Sequence, residues 1–165
     1  MNTATLSFSR EAIIYDIENY AYIVADSIIK DEEHAKHQVL DIAQEGNIDR
    51  VTRMINIAFA KCTEILYPYT KNECGQQEYY DNSLVGDDVL LMSLSLPEGF
   101  SRTTLDFVSK LIHEYIVYCV MADWLSLTYP ALSAVWRAKQ QEAEQDIRTR
   151  LNARCGRIRR TQTPF

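Results

Sequence analysis

Two histidines form the clearest candidate for metal chemistry in this sequence. His34 and His37 lie three residues apart, with Glu33 and Asp41 close by. On a helix this spacing could bring two imidazoles and a carboxylate around one metal ion. Histidines so spaced on a polar helix are more often solvated, and the sequence shows no further ligand for the same site. We therefore predict no metal site and no cofactor.

Two further segments contain residue types that occur in catalytic sites. His113 and Glu114 lie at the border of an apolar helical pattern, where we expect a hydrogen bond between helices rather than a catalytic base. Gly86, Asp87 and Asp88 superficially resemble metal-binding carboxylates, but glycine and aspartate at this place favour a turn. The chain also contains no phosphate-binding loop, dinucleotide fingerprint, nucleophile elbow or HExxH motif. We predict that the protein is not an enzyme and has no catalytic residues.

Charge is divided unevenly along the chain. The last nineteen residues contain six arginines and no acid, while the rest contains 23 acids and eleven basic residues, a net charge of −12 against +6. Arginine favours bidentate recognition of carboxylate or phosphate. Fully extended, residues 155–165 span about 35 Å, which is enough to reach a neighbouring subunit. We predict that this segment is a basic arm that binds a partner; the alternative is a frayed terminus that aids solubility.

Five helical patterns precede or flank this arm. Ser9, Asn47 and Ser101 are placed to cap the first, third and fourth helices, while Pro130 suits the first turn of the fifth. The second helix is short and ends near Gly46. Apolar residues recur every three or four positions in these segments, as expected for helices that pack on a common core.

One segment follows a different period. From Val89 to Leu96, apolar residues alternate with serine at two positions, which is typical of a half-buried β-strand. A single strand is not stable alone. We expect its partner to come either from Tyr79–Val85, as a hairpin, or from another subunit.

The predicted fold is therefore mainly α, a bundle of about five helices with one short strand or hairpin at about residues 79–96. We expect a single domain over residues 1–154, with a loop and strand insertion at 69–99, followed by the arm at 155–165. The predicted partner-binding residues come from the arm and the strand: Arg154, Arg157, Arg159, Arg160, Pro164, Phe165, Leu90, Met92 and Leu94.

Composition limits the class of protein. Apolar residues make up 47% and charged residues 24%, as in ordinary globular proteins. The first dozen residues lack the features of a signal peptide, and no apolar run approaches a membrane span. The four cysteines are scattered without paired spacing, so we expect free thiols and a soluble cytoplasmic product without membrane partners.

The second half of the chain resembles a family of virion proteins. The residues that carry the resemblance are the Leu90–Leu96 strand with Pro97 and Phe100, Leu105, Ile112-His113-Glu114-Tyr115-Ile116-Val117, Ala122-Asp123-Trp124-Leu125, and Tyr129-Pro130. Over residues 89–160, this pattern is similar to small neck proteins of tailed phages and prophages of gut Bacteroidetes. The resemblance implies a head–tail connector that forms a ring of identical copies between portal and tail.

This family role implies a set of partners and a location. We expect the partners to be copies of the same chain, the portal and the tail proteins, with genomic DNA passing through the lumen without sequence-specific binding. We expect assembly in the host bacterial cytoplasm and residence in the virion. The alternative function is a nucleic-acid-binding or regulatory module that uses the C-terminal arginines on phosphates.

Overall fold

The computed structural model describes residues 2–28, 32–83 and 86–152. Within these ranges the chain forms six α-helices and a two-stranded antiparallel sheet, which confirms the mainly α prediction. The elements are β1 (Asn2–Ser9), α1 (Arg10–Ile23), α2 (Glu33–Leu40), α3 (Ile48–Ile65), α4 (Tyr67–Thr70), β2 (Val89–Leu96), α5 (Arg102–Thr128) and α6 (Pro130–Asn152). A π-helical turn at Val24–Ile28 extends α1, and 3-10 turns at Asp41–Ala43 and Glu45–Asn47 link α2 to α3.

Helix α5 is the centre of the bundle. It packs against α1, α2, α3 and α6. From Tyr115 to Ala122 every residue except Tyr118 is buried, so this stretch is enclosed on nearly all sides. The most extensive contact between helices is that of α5 with α6. The two helices run antiparallel because the chain reverses direction at Tyr129 and Pro130.

Two of the three predicted helix caps form as expected. The Ser9 hydroxyl accepts from the backbone N–H of Ala12, and the Ser101 hydroxyl accepts from that of Thr104, each at 3.4 Å. Asn47 does not cap α3 with its side chain. Its amide instead donates to the Asp41 carbonyl at 2.8 Å, because the chain approaches α3 through a compact 3-10 turn.

The predicted strand is present, but its predicted partner was wrong. β2 pairs with β1 of the same chain, with Leu6 opposite Met92 and Ala4 opposite Leu94. Tyr79–Ser83 form no strand. The signal for β1 was in the sequence, because Ala4, Leu6 and Phe8 alternate with small hydroxyl residues in the same way as β2.

The sheet covers one side of the helical core. Leu6 and Phe8 of β1 and the four alternate leucine and methionine residues of β2 point inward. Phe8 meets Phe59 of α3 edge-on, with ring centroids 6.2 Å apart. Because one face of each strand is buried in this core, the register is strongly specified.

Within the described ranges, no helix is long and apolar enough to cross a lipid bilayer.

Candidate interaction site

Three aromatic rings from three helices meet beside α5. Tyr20 lies on α1, Tyr118 on α5 and Trp136 on α6. Their centroids are 5.0 Å apart for Tyr20 and Trp136, 5.8 Å for Tyr118 and Trp136, and 6.2 Å for the two tyrosines. The planes are steeply inclined to one another, at 55° to 73°. The three rings form what we call the aromatic cluster.

The aromatic cluster holds a cation of the same chain. The Lys139 ammonium lies 4.7 Å from the Trp136 centroid, 5.6 Å from that of Tyr118 and 5.9 Å from that of Tyr20. Lys139 follows Trp136 by three residues on α6, a spacing that places both side chains on one helix face. Aromatic faces attract cations through the ring quadrupole, most strongly when several rings surround one charge. The arrangement is suited to organic cations.

A carboxylate lies beneath the tyrosines of the cluster. The Oε2 atom of Glu114 is buried and has no hydrogen-bond partner among the residues the structure describes. Burial raises the pKa of Tyr20, and the charge of Glu114 raises it further. Burial, followed by hydrogen bonding to Glu114, raises the pKa of Tyr118. Both phenols therefore stay protonated, and Glu114 retains an acceptor oxygen that the described residues leave unused.

A cleft of about 280 Å³ opens next to the aromatic cluster, between α5 and α6. Its lining residues are Leu111, Glu114, Tyr118, Lys139, Glu142, Ala143 and Asp146. The α6 members follow the spacing of one helix face, and so do the α5 members. Three carboxylates and one ammonium give the lining a formal charge of −2, and Leu111 and Ala143 add an apolar surface. This acidic cleft can hold a cation that has an aliphatic stem.

His113 lies on α5 next to Glu114 but takes part in a different contact. Its Nε2 is 2.7 Å from Oδ2 of Asp16 on α1. This confirms the predicted hydrogen bond between helices. The imidazole therefore joins α1 to α5, and its Nε2 is occupied by Asp16.

The other histidine pair lies on α2. His34 Nε2 is 3.2 Å from Nε2 of Gln38, one helical turn later. Across residues 2–28, 32–83 and 86–152, no three His, Cys, Asp or Glu side chains are grouped so that they could hold a metal ion.

The segment of Gly86, Asp87 and Asp88, which is irregular chain with a bend at Asp88, anchors Arg10, a residue with no evident role in the sequence. Arg10, the first residue of α1, donates from Nε to the Asp87 carbonyl at 2.5 Å and from its backbone N–H to the Asp88 carbonyl at 2.9 Å. Its Nη2 donates to Oδ1 of Asn56 on α3 at 2.8 Å. We call this set the Arg10 cluster. It joins β1, α1, α3 and the entry to β2.

The strand residues predicted to bind a partner are in the chain's own core. Leu90 is 7% exposed, Met92 2% and Leu94 0%, because β1 pairs with β2 and the helices cover this face. In the folded chain these three side chains are therefore covered and present no exposed surface to a partner. Val89 and Leu91 point the other way and are exposed.

The predicted arm residues lie outside the described residues. These are Arg154, Arg157, Arg159, Arg160, Pro164 and Phe165. The described part of α6 ends at Asn152, near the acidic cleft along the same helix.

Three cysteines are described, and all are free thiols. Cys62 and Cys119 are buried, whereas Cys74 is exposed. Burial raises the pKa of Cys62 to about 12 and that of Cys119 to about 11, so both behave as core residues.

Comparison with known proteins adds no relative. No protein family model, curated protein or solved structure matches the chain.

Proposed function

We propose that the protein is a structural component of a phage virion, a head–tail connector that assembles into a ring of identical copies between portal and tail. The observation that carries the proposal is the division of charge. A body of net charge −12 precedes a terminal segment of +6. Such a chain can bind head to tail, because the basic segment of one copy complements the acidic surface of the next.

Exposed apolar residues also support a role in assembly. Ile57 is 55% exposed, Val89 48% and Leu91 63%, on the side of the molecule where the sheet meets α3. Asn56 lies within the lining of two neighbouring clefts that include these three residues. Apolar groups collected on one surface are typical of protein interfaces. β2 itself does not support assembly by strand exchange, because its partner is β1 of the same chain.

The acidic body suits the proposed position in the virion. A ring whose lumen is lined with carboxylates repels DNA phosphates, so the genome can pass without being bound. Lysine and arginine contacts provide most of the free energy of non-specific DNA binding, and here they are outnumbered throughout the body.

The proposal is tested by assembly on the portal. Purified full-length protein is mixed with the portal of the same phage, and the products are examined by mass photometry and negative-stain microscopy. We expect rings on the portal. Arg154, Arg157, Arg159 and Arg160 are changed together to Gln, which should reduce ring formation. The matched control changes four exposed cations of the body that lie outside the two clefts lined by Asn56, namely Arg50, Lys71, Arg102 and Lys110, to Gln.

Two results would overturn the proposal. One is a protein that remains monomeric with the portal and is absent from purified virions. The other is a mobility shift of DNA at low salt that depends on the C-terminal arginines and weakens steeply as salt is added. The second result would favour the nucleic-acid-binding alternative.

A further inference from the structure

We propose that the acidic cleft between α5 and α6 is the acceptor site for the arginine-bearing C-terminal segment of a neighbouring copy. The inference rests on the proposed assembly function and names the surface that it requires. The ligand is residues 153–165 of the neighbouring copy, and an arginine guanidinium of this segment lies between carboxylates of the cleft.

The cleft has the chemistry of a guanidinium site. Glu114, Glu142 and Asp146 supply three carboxylates, and one buried oxygen of Glu114 has no partner among the described residues. Glu142 and Asp146 are exposed, so an incoming guanidinium can reach both carboxylates from solvent. Leu111 and Ala143 lie where the aliphatic stem of an arginine could pack.

The neighbouring aromatic cluster shows that this part of the molecule holds a cation. Lys139 is already present, with its ammonium within 5.9 Å of three ring centroids. Its single charge leaves the cleft lining at a formal −2. A second cation can therefore enter, and guanidinium is weakly hydrated and stacks on aromatic faces such as that of Tyr118.

The occupant follows from charge and from chain length. The thirteen residues beyond Asn152 contain four arginines and no acid, lysine or histidine. Extended, they reach about 43 Å. Arginine is the only charged residue type in this segment, and the cleft provides the carboxylates that arginine binds bidentately. A ring of identical copies supplies one segment and one cleft at every interface.

The direct test is binding of a labelled peptide of residues 153–165 to full-length protein. The protein carries Arg154, Arg157, Arg159 and Arg160 changed to Gln, so that its own segment does not compete. We expect saturable binding by fluorescence anisotropy. Neutralising the cleft with Glu114→Gln, Glu142→Gln and Asp146→Asn should weaken it about tenfold or more.

A matched control separates the cleft from general charge. Glu45, Glu64 and Glu73 are exposed and lie outside the cleft lining, and changing all three to Gln removes the same number of charges. Binding to this variant should stay within about twofold. Equal weakening in the control and the cleft variant would overturn the inference, since the peptide would then respond only to net charge.

Lys139 gives a test in the opposite direction. Lys139→Met removes the one cation of the lining, so peptide binding should become tighter by about threefold. Lys110→Met, which removes an exposed cation of α5 outside the lining, should leave it unchanged. Weaker binding in Lys139→Met, or saturable binding of tetramethylammonium without any of the peptide, would overturn the inference and assign the site to a small organic cation.

Mixing two variants decides whether the contact is between copies. The protein with a neutralised segment and the protein with a neutralised cleft should each fail to associate alone. Together they should form a one-to-one complex, because one intact segment meets one intact cleft. If the peptide binds but no mixed complex forms, the segment occupies its own cleft, and the inference of an acceptor between copies fails.

Failure here is distinguishable from failure of the proposed function. Rings that form on the portal with a neutralised cleft would sustain the connector role and reject this acceptor site. Peptide binding and a mixed complex in a protein that is absent from virions would sustain the acceptor site and reject the connector role.

Discussion

The Arg10 cluster and the acidic cleft are both polar regions beside the core, and they treat their charges differently. Arg10 is 8% exposed; its Nε, backbone N–H and Nη2 donate to the Asp87 carbonyl, the Asp88 carbonyl and Asn56, while its Nη1 is buried without a partner among the described residues. In the cleft, Glu114 keeps a buried oxygen without a partner among the described residues, and Lys139 is held by ring faces rather than by a carboxylate at ion-pair distance. Each region therefore keeps one buried polar atom without a partner among the described residues, but Arg10 is tied to neighbouring segments by three hydrogen bonds, whereas the cleft presents the exposed carboxylates of Glu142 and Asp146 to solvent.

Replacement of Arg10 should have the largest effect on stability. Arg10→Ala removes two hydrogen bonds, from Nε to the Asp87 carbonyl and from Nη2 to Oδ1 of Asn56, and should lower the free energy of unfolding by about 3 kcal/mol. Urea denaturation followed by circular dichroism measures this loss in the free energy of unfolding. The control, Arg50→Ala at an exposed site, should cost less than about 0.5 kcal/mol. A similar small loss for Arg10→Ala would remove the contrast between the two regions.

Tyr118 should make the cleft side sensitive to alkaline pH, in addition to the buried thiols of the core. The pKa of Tyr118 is raised in the folded state from its ordinary value of 10.0, so the stability it contributes is complete below that pH and is lost as pH rises towards the folded value. We expect Tyr118→Phe to lose less stability than the native chain between about pH 8 and about pH 11, by at most about 1 kcal/mol because the phenol is partly screened by solvent. Parallel losses in the two proteins, measured by urea midpoints, would contradict this.

Removal of the cation from the aromatic cluster should have a moderate effect. Lys139→Met keeps an aliphatic stem on Trp136 but loses the charge above three rings, which should cost about 0.5–1 kcal/mol. Lys110→Met on α5 should be neutral. The comparison is made by thermal denaturation at low and high salt. A loss that disappears in the presence of an added arginine-rich peptide would indicate that a guanidinium replaces the ammonium.

Neutralisation of Glu114 should have the smallest effect on stability. Glu114→Gln removes a buried charge whose Oε2 atom has no partner among the described residues, so the free energy of unfolding should change by less than about 0.5 kcal/mol or increase. The same substitution should lower the pKa of Tyr118, because the hydrogen bond and the charge of Glu114 both raise it. Ultraviolet titration of tyrosinate measures the shift. A large loss of stability would place Glu114 with Arg10 as a residue that serves the fold.

Most of the helical architecture was predictable because its signals are local. The Ser9 and Ser101 caps, the apolar period of α3 and the turn at Pro130 each depend on residues within a few positions of one another. The same reasoning found β2 from its alternation but missed its partner. β1 and β2 are separated by about eighty residues, and no local pattern specifies which segment pairs with which.

The site was harder to predict for the same reason. Tyr20, Tyr118 and Trp136 belong to three helices, and in sequence each looks like an ordinary core or border aromatic. Only the Trp136 and Lys139 spacing was a local signal. Arg10 gave no signal, since a basic residue at a helix start is unremarkable until Asp87, Asp88 and Asn56 are brought to it.

The amino-acid sequence by itself determined the helices, the alternating strand and the division of charge, because these follow from neighbouring residues and from composition. Tertiary structure alone decided that Leu90, Met92 and Leu94 face the core of their own chain, and that Glu114, Glu142 and Asp146 share a cleft. The physical reason is packing: each helix or strand presents several possible faces, and only contact with distant segments selects which face is buried and which charges remain open to a ligand.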